Sequence, residues 1–326
     1  MSTNASRPLK LGTRGSTLAM AQSGQVAERV RQLTGRPVEL VGITTYGDVS
    51  REHLSRIGGT GVFVSALRDA LLAGEVDFAV HSLKDLPTAQ PPRLALAAVP
   101  VREDPRDALI ARDGLTFEQL PDGARVGTGS PRRMAQLNAW ARALGKRVET
   151  VPIRGNIERR LGFVSSGELD AVVLATAGLR RAGMADAITE LLDPGTVLPA
   201  PGQGALAVEC AASNEELTAR LAELDDLRTR VAVTAERSLL SALEAGCSAP
   251  VGALAEVRDE ERDVTELHLR GVVGTTDGTT LVQLSTTGSV PESAAESLAR
   301  AEALGRELAD EMLAKGAAGL MGERAH

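Results

Sequence analysis

The chain holds two cysteines, and their surroundings differ sharply. Cys210 ends the apolar run ALAVEC, where an unpaired cysteine serves as a small buried hydrophobe. Cys247 lies in LEAGCSAPVG (residues 243–252), against Gly246 and ahead of Ser248, Pro250 and Gly252. These neighbours are turn formers, so the thiol belongs to a tight, accessible loop, where it can be a nucleophile or an attachment point. Activation would need groups that lower its pKa, and spacing alone does not supply them. No Cys-His-Asn pattern accompanies it, which argues against a papain-like protease.

A second stretch, HSLKDLP (81–87), puts Lys84 and Asp85 directly after the strand-like DFAVHS. A carboxylate at a strand end, near cations, stays ionised and can accept N–H donors or stabilise a developing positive charge. On spacing alone a Lys-Asp surface turn is the plainer reading, and His81 reads as a packed strand residue. The third feature is a set of arginines: Arg14, Arg132, Arg133, Arg154, Arg159, Arg160, Arg180 and Arg181 fall near predicted strand ends or helix starts. Helix N-termini favour anions, and a guanidinium adds a planar fork that grips a carboxylate with two bonds. A single pair such as Arg180–Arg181 reads as solvated surface. Arg14 and Arg132–Arg133 differ, because both sit at a repeated Gly-Thr turn. The implied ligand carries several negative charges. No Walker A pattern is present, so a nucleotide phosphate is not the first choice.

The elements that must hold these residues are those of an α/β protein. LKLGT (9–13), VELVGITT (38–45) and DFAVHS (77–82) read as strands; 16–33 and 61–74 read as helices. This rhythm implies parallel sheets covered by helices. LGTRGSTLAMAQ (11–22) resembles VGTGSPRRMAQ (126–136), and GEVDFAV (74–80) resembles GELDAVV (167–173), in the same order. Either match could be chance; two in order are harder to dismiss. They imply two similar α/β domains, each with a Gly-Thr-(x)-Ser turn between strand and helix. PVREDPRD (100–107) and VLPAPGQGALAVEC (197–210) suit two crossovers around a hinged cleft. The tail reads as a small α+β domain: a helix over 228–245 ending at Gly246, three strands with TTDG turning between the last two, and a closing helix after Pro291.

The bulk numbers set limits. With 326 residues the chain has room for two or three domains of about 100–200 residues each. Hydrophobic residues are 43% but aromatics only 2%, so the core must be aliphatic and stacking platforms for bases are scarce. A net charge of −7 argues further against a general nucleic-acid binder. The start, MSTNASRPLKL, lacks an apolar signal region, and no apolar run is long enough to span a bilayer. Two cysteines make no disulfide framework, so the expectation is a cytoplasmic protein without membrane or nucleic-acid partners. The four histidines are scattered, and no metal site is expected. Two rival functions fit parts of this picture. A small-anion sensor explains the repeat and the arginines, but not Asp85 beside Lys84 or the Cys247 loop. A thiol enzyme predicts a free, rapidly alkylated Cys247.

Taken together, GTRGSTLA (12–19), GVFVSALRDALL (61–72), HSLKDLP (81–87), REDPRDA (102–108), GTGSPRR (127–133), IRGNIERRL (153–161), ATAGLRR (175–181), PGQGA (201–205), TAERS (234–238) and GCSAPVG (246–252) resemble the porphobilinogen deaminase (hydroxymethylbilane synthase) family over nearly the whole chain. The resemblance implies two domains like the halves of periplasmic binding proteins and a third carrying the cysteine loop: 1–102 with 202–222, 103–201, and 223–326. It implies that Cys247 bears, through a thioether, a dipyrromethane primer made from the enzyme's own substrate. Four porphobilinogens are then added head to tail with loss of ammonia, and water releases linear 1-hydroxymethylbilane.

By the same resemblance, Asp85 is the catalytic carboxylate. Lys84, Ser130, Arg132 and Arg133 bind the primer's side chains, with Ser82 a neighbouring contact. Arg14, Ser16, Arg154, Arg160 and Arg181 serve substrate binding or elongation. Phe63 lies near the site entrance and Gln203 in the hinge motif, and a monomer is expected. The pyrrole acetates and propionates give the arginines of an acidic chain a purpose. Two positions depart from the common pattern: Thr60 where many members have Lys, and Gly129 where many have Ser. The second removes a hydroxyl donor from the cofactor cradle.

Overall fold

The computed structural model describes residues 7–45, 64–245, 249–260 and 264–321. Thr60, Phe63 and Cys247 lie outside the described residues. In chain order the first strand β1 (Leu9–Arg14) leads into α1 (Thr17–Thr34), then β2 (Val38–Ile43), α2 (Ser65–Leu72), β3 (Phe78–Ser82) and β4 (Leu94–Ala98). There follow β5 (Asp107–Ala111), β6 (Ala124–Gly127), α3 (Pro131–Ala143), β7 (Val148–Val151), α4 (Ile157–Ser165), β8 (Ala171–Ala175), α5 (Thr176–Arg181) and β9 (Glu190–Leu191). The chain continues through β10 (Leu206–Ala211), α6 (Glu215–Ala222), α7 (Leu227–Ala242), β11 (Val251–Glu260), β12 (Val264–Gly274), β13 (Leu281–Ser289) and α8 (Ala294–Ala314).

Two five-stranded sheets share one plan. Their orders are β2-β1-β3-β10-β4 and β7-β6-β8-β5-β9. In each, the first three strands are parallel and the fourth runs antiparallel to both neighbours. The sequence repeat maps onto equivalent places: its first half forms β1–α1 and β6–α3, its second half β3 and β8. The fourth place in the first sheet is taken by β10, delivered by the crossover expected near 197–210. The corresponding place in the second is taken by β5, directly after the crossover near 100–107. The middle strands β3, β10, β8 and β5 are buried along nearly their whole length and mostly apolar, as sheets covered on both faces require.

The described residues fall into two compact units, one within 1–102 and 205–230, the other within 103–204 and 231–326. The first is built on the first sheet, with Leu11, Val30, Phe78, Val208 and Leu221 in its core. The second holds the other five-stranded sheet and the antiparallel sheet β11-β12-β13. Against that small sheet α7 and α8 bury Leu239, Leu304, Leu308 and Met312.

The helix expected over 228–245 closes earlier. It ends at Ala242, and the left-handed residue that stops it is Glu244 (φ 52°), not Gly246. Glu244 N donates to Ser241 O at 2.9 Å and Ala245 N to Leu240 O at 3.3 Å, the two bonds of a Schellman closure. Leu243 is buried in the core, and that anchor fixes the stop three residues before the glycine. No described helix is long and apolar enough to cross a membrane.

The TTDG turn between β12 and β13 is present, and its tip is seated on α3. Asn138 Nδ2 donates to Thr276 O at 2.7 Å, and Arg142 Nε to Asp277 O at 3.3 Å. Gly278 adopts φ +69°, and a β-carbon there would stand 2.6 Å from the carbonyl carbon of Asn138. Gly278→Ala therefore combines backbone strain with collision against a helix backbone. We expect it to lower stability by about 2 kcal/mol or more, read as a fall in urea midpoint without change in slope.

Candidate functional site

In the first unit the candidate residues gather at one edge of a sheet. β1 and β3 are parallel neighbours, so both C-terminal ends open on the same edge. Beyond β1, the Arg14-Gly15-Ser16 turn enters α1, where Ser16 Oγ accepts from Ala19 N at 3.3 Å as the helix cap. Buried Thr13 braces the turn: its hydroxyl accepts from Ser23 Oγ at 2.7 Å and donates to Ala19 O at 3.2 Å. Beyond β3, Leu83–Asp85 form one 3-10 turn.

The reason for that turn lies in its flanks. Leu83 and Leu86 are buried to within 1% exposure and pin the segment, while Lys84 and Asp85 between them stay half-buried. Leu83 N also donates to Ala205 O at 3.0 Å, and Ser82 Oγ to Gln22 Oε1 of α1 at 3.4 Å. The Asp85 carboxylate makes no hydrogen bond or ion pair to any described residue. It is an acceptor held on a rigid turn, available to a ligand.

The second unit repeats the layout with cations. Ser130 caps α3, accepting from Arg133 N at 3.5 Å, and Pro131 takes the first helical position. Arg132 and Arg133 point inward: they are 3% and 6% exposed. Both meet Asp107 at the start of β5, which is fully buried. Arg132 Nη1 donates to Asp107 Oδ2 at 2.8 Å and Arg133 Nη2 to Oδ1 at 2.7 Å. Gln203 Nε2 adds a third bond to Oδ1 at 2.8 Å. Arg132 also reaches Leu198 O and Arg133 reaches Val173 O. Burial pushes the Asp107 carboxyl up, but the two guanidiniums outweigh it and hold the group well below the usual carboxylate range.

Two more arginines join. Arg154 follows β7 and Arg160 lies on α4; buried Arg154 Nη1 and Arg160 Nε have no hydrogen-bond partner, and neither do Arg132 Nε and Arg133 Nε. Burial, and then the charges of Arg133 and Arg154, bring the Arg160 guanidinium down to about 10. Two guanidiniums thus hold one carboxylate, and Arg160 lies within electrostatic reach of Arg133 and Arg154, with buried N–H groups of all four arginines unsatisfied among the described residues. Orphaned buried donors are rare and call for a ligand or water to meet them.

Arg181 stands with the second crossover, donating to Gly204 O at 2.8 Å. Burial lowers its pKa against the pull of Glu103. Arg180 is exposed and pairs with Glu103 and Asp104, so the plainer reading of a solvated surface pair holds for Arg180 and not for Arg181. Arg159 is exposed. At Gly129 the carbonyl of Ile153 approaches so closely that a β-carbon would lie 2.6 Å from it. A serine side chain at this place would need the Ile153 backbone to move, so space as well as donor count separates this chain from the common pattern. Spacing missed two buried carboxylates near the candidate residues, one in each unit. Asp107 was visible only as part of REDPRDA, and the Arg68–Glu209 pair joins residues 141 apart. Among the described residues no cluster of three His, Cys, Asp or Glu side chains could hold a metal.

Residues 9–219 match the family model described as "Porphobilinogen deaminase, dipyromethane cofactor binding domain", and residues 230–314 match "Porphobilinogen deaminase, C-terminal domain". The chain belongs to the porphobilinogen deaminase family. It is therefore an enzyme, of the transferase class, and most of its length is the family's cofactor-binding domain. Its similarity to "Porphobilinogen deaminase 1" of Streptomyces avermitilis is 75% identity over 323 residues, 98% of each chain. The porphobilinogen deaminase of Thermobifida fusca is 59% identical over 95% of this chain and 94% of its own. Among solved structures, an ABC-transporter periplasmic substrate-binding protein from Coxiella burnetii aligns with 66% of this chain and 91% of its own, at 13% identity and a TM-score of 0.43.

The buried cluster makes an acid-stability prediction. Asp107 has a depressed folded pKa, so the stability it contributes is present above its unfolded value and lost as pH falls through the folded one. Wild-type stability should decline below about pH 4. Asp107→Asn should lose about 3–5 kcal/mol at pH 7, because it leaves buried guanidiniums short of a counter-charge. Its acid decline should be shallower, not absent, since Glu209, held at about 2, still titrates. Urea unfolding at pH 7 and pH 3.5 measures both.

Proposed function

We propose that this chain is a hydroxymethylbilane synthase. It joins four porphobilinogens head to tail with loss of ammonia, on a dipyrromethane primer attached through a thioether to Cys247, and releases 1-hydroxymethylbilane by hydrolysis. The observation that carries the reading is the cluster of Arg132, Arg133, Arg154 and Arg160 with buried, unpartnered N–H groups. Such donors fit a ligand bearing several carboxylates, and the acetate and propionate arms of linked pyrroles are that ligand.

The fit extends to the cofactor. Ser130, Arg132 and Arg133 would hold its carboxylate arms, and the family resemblance gives Lys84 and Ser82 a cofactor-binding role as well. When bound, dipyrromethane supplies the free α-carbon that acts as nucleophile. The protein's own part is positioning and charge. Asp85 accepts pyrrole N–H groups and stabilises the positive charge that develops as ammonia leaves; it is placed to take and return protons as well. Arg14, Ser16, Arg154, Arg160 and Arg181 bind the arriving substrate and the lengthening chain. Guanidiniums suit that task because their planar forks hold carboxylates in fixed orientation and stay charged even with the lowered affinity for protons found at Arg160.

The proposal extends to a monomeric cytoplasmic enzyme with the three domains 1–102 with 202–222, 103–201 and 223–326. The acidic composition and the scarcity of aromatics support a protein without nucleic-acid partners.

The test is an intact mass of the denatured protein and a peptide map. An excess equal to two porphobilinogens less two ammonias, on the peptide containing Cys247, is expected. Cys247→Ser should show no such excess. An unmodified protein that gains no mass on incubation with porphobilinogen would favour a small-anion sensor instead. Asp85→Asn should keep the fold and the primer but lose turnover by about 100-fold or more; near-normal activity would remove Asp85 from its role.

A further inference from the structure

Next to the Asp85 turn lies a buried charge cluster that the reaction above does not use. Glu209 of β10 is fully buried. Arg68 of α2 grips it with two bonds, Nε to Oε2 at 3.0 Å and Nη2 to Oε1 at 2.8 Å. His81 of β3 brings Nε2 to 3.1 Å from Oε2, within ion-pair range but off the line of a hydrogen bond. Gln90 Nε2 donates to Oε1 at 3.3 Å and to Leu94 O at 3.0 Å. Burial pushes the carboxyl up, but His81 and Arg68 outweigh it and bring the group to about 2, so it is ionised at neutral pH.

The placement of these partners is informative. His81 immediately precedes Ser82, and Gln90 lies three residues beyond Pro87. One carboxylate therefore touches both flanks of the segment that carries Ser82, Lys84 and Asp85. The β10–β4 pairing slips register between Val208 and Glu209, the kind of irregularity that re-aims a side chain beside a site. A buried ion pair is no efficient route to stability, since apolar residues of equal volume serve as well. A network that fixes geometry has another use, because small misplacements of a catalytic group slow a reaction severely.

We propose that Glu209 is a positioning residue for the reaction: through His81 and Gln90 it fixes both flanks of the Ser82–Pro87 segment, and with them the place of the Asp85 carboxylate. This rests on the role given to Asp85 above. Arg68 holds Glu209 in turn, its fork setting the plane of the carboxylate.

The experiment compares wild-type holoenzyme with Glu209→Gln, Arg68→Lys and Leu221→Ala. kcat and KM for porphobilinogen are measured at a temperature at which circular dichroism shows every variant folded. Leu221 is buried in the same unit against the β10 core, and its variant reports lost stability without loss of the network. The expected result is a fall in kcat of about tenfold or more in Glu209→Gln with KM within about twofold. Arg68→Lys, which keeps the charge but not the fork, should fall part of the way. Leu221→Ala should keep its kcat. Wild-type kcat in Glu209→Gln, or an equal loss in Leu221→Ala, overturns the inference. If Glu209→Gln does not fold, unchanged kcat in Arg68→Lys overturns it. A wild-type enzyme inert toward porphobilinogen would instead overturn the function proposed above.

Discussion

The second unit depends on one buried carboxylate. Asp107 takes bonds from Arg132, Arg133 and Gln203. These partners come from the start of α3 and from the second crossover, so one acidic group joins β5, α3 and that crossover. It also sets the electrostatic balance. A single negative charge lets two arginines be buried, yet it is too little to neutralise the four that gather there. The surplus positive charge and the unmet N–H groups follow from that shortfall. The proposed site for a polyanion lies where the fold supplies fewer acids than guanidiniums.

The first unit shows the complementary arrangement. Among the described residues Asp85 has no side-chain partner, while the carboxylate of Glu209 is fully occupied. The two acids differ in what surrounds them: Glu209 is locked between strands, and Asp85 rides on a turn pinned by Leu83 and Leu86. The role proposed for Asp85 requires that it be withheld from the protein's own donors. Two buried leucines hold it in place without offering it a hydrogen bond.

Local patterns in the sequence were enough to place the twin strand–turn–helix units, because alternating aliphatic strands and helix-length segments follow from neighbours a few residues apart. The Gly-Thr turns, and the serines that cap α1 and α3, were readable for the same reason. Asp85 and the arginines were visible as candidates, but spacing could not separate a site from a surface turn; the preference for a site comes from the family resemblance alone. The buried carboxylates Asp107 and Glu209 stayed hidden. Asp107 meets its partners 25 and 96 residues away, and Glu209 meets Arg68 at 141. Such pairs depend on sheet topology, which no local pattern contains. The early stop of α7 was hidden as well, since it depends on Leu243 reaching a core built by β11, β12 and α8.

The late arrival of β10 has a consequence for how the protein is made. β3 lacks its antiparallel neighbour until residues 206–211 exist, more than a hundred residues after β3 itself. At ribosomal speeds of about 5–20 residues per second, that interval is on the order of ten seconds. During it the nascent first sheet carries a bare edge with the Asp85 turn at its end, and β4 has no strand to join. The second sheet, with β5 in hand from the outset, can close first. The order of synthesis is thus the reverse of the order of completion: the half bearing the acid is begun first and finished last.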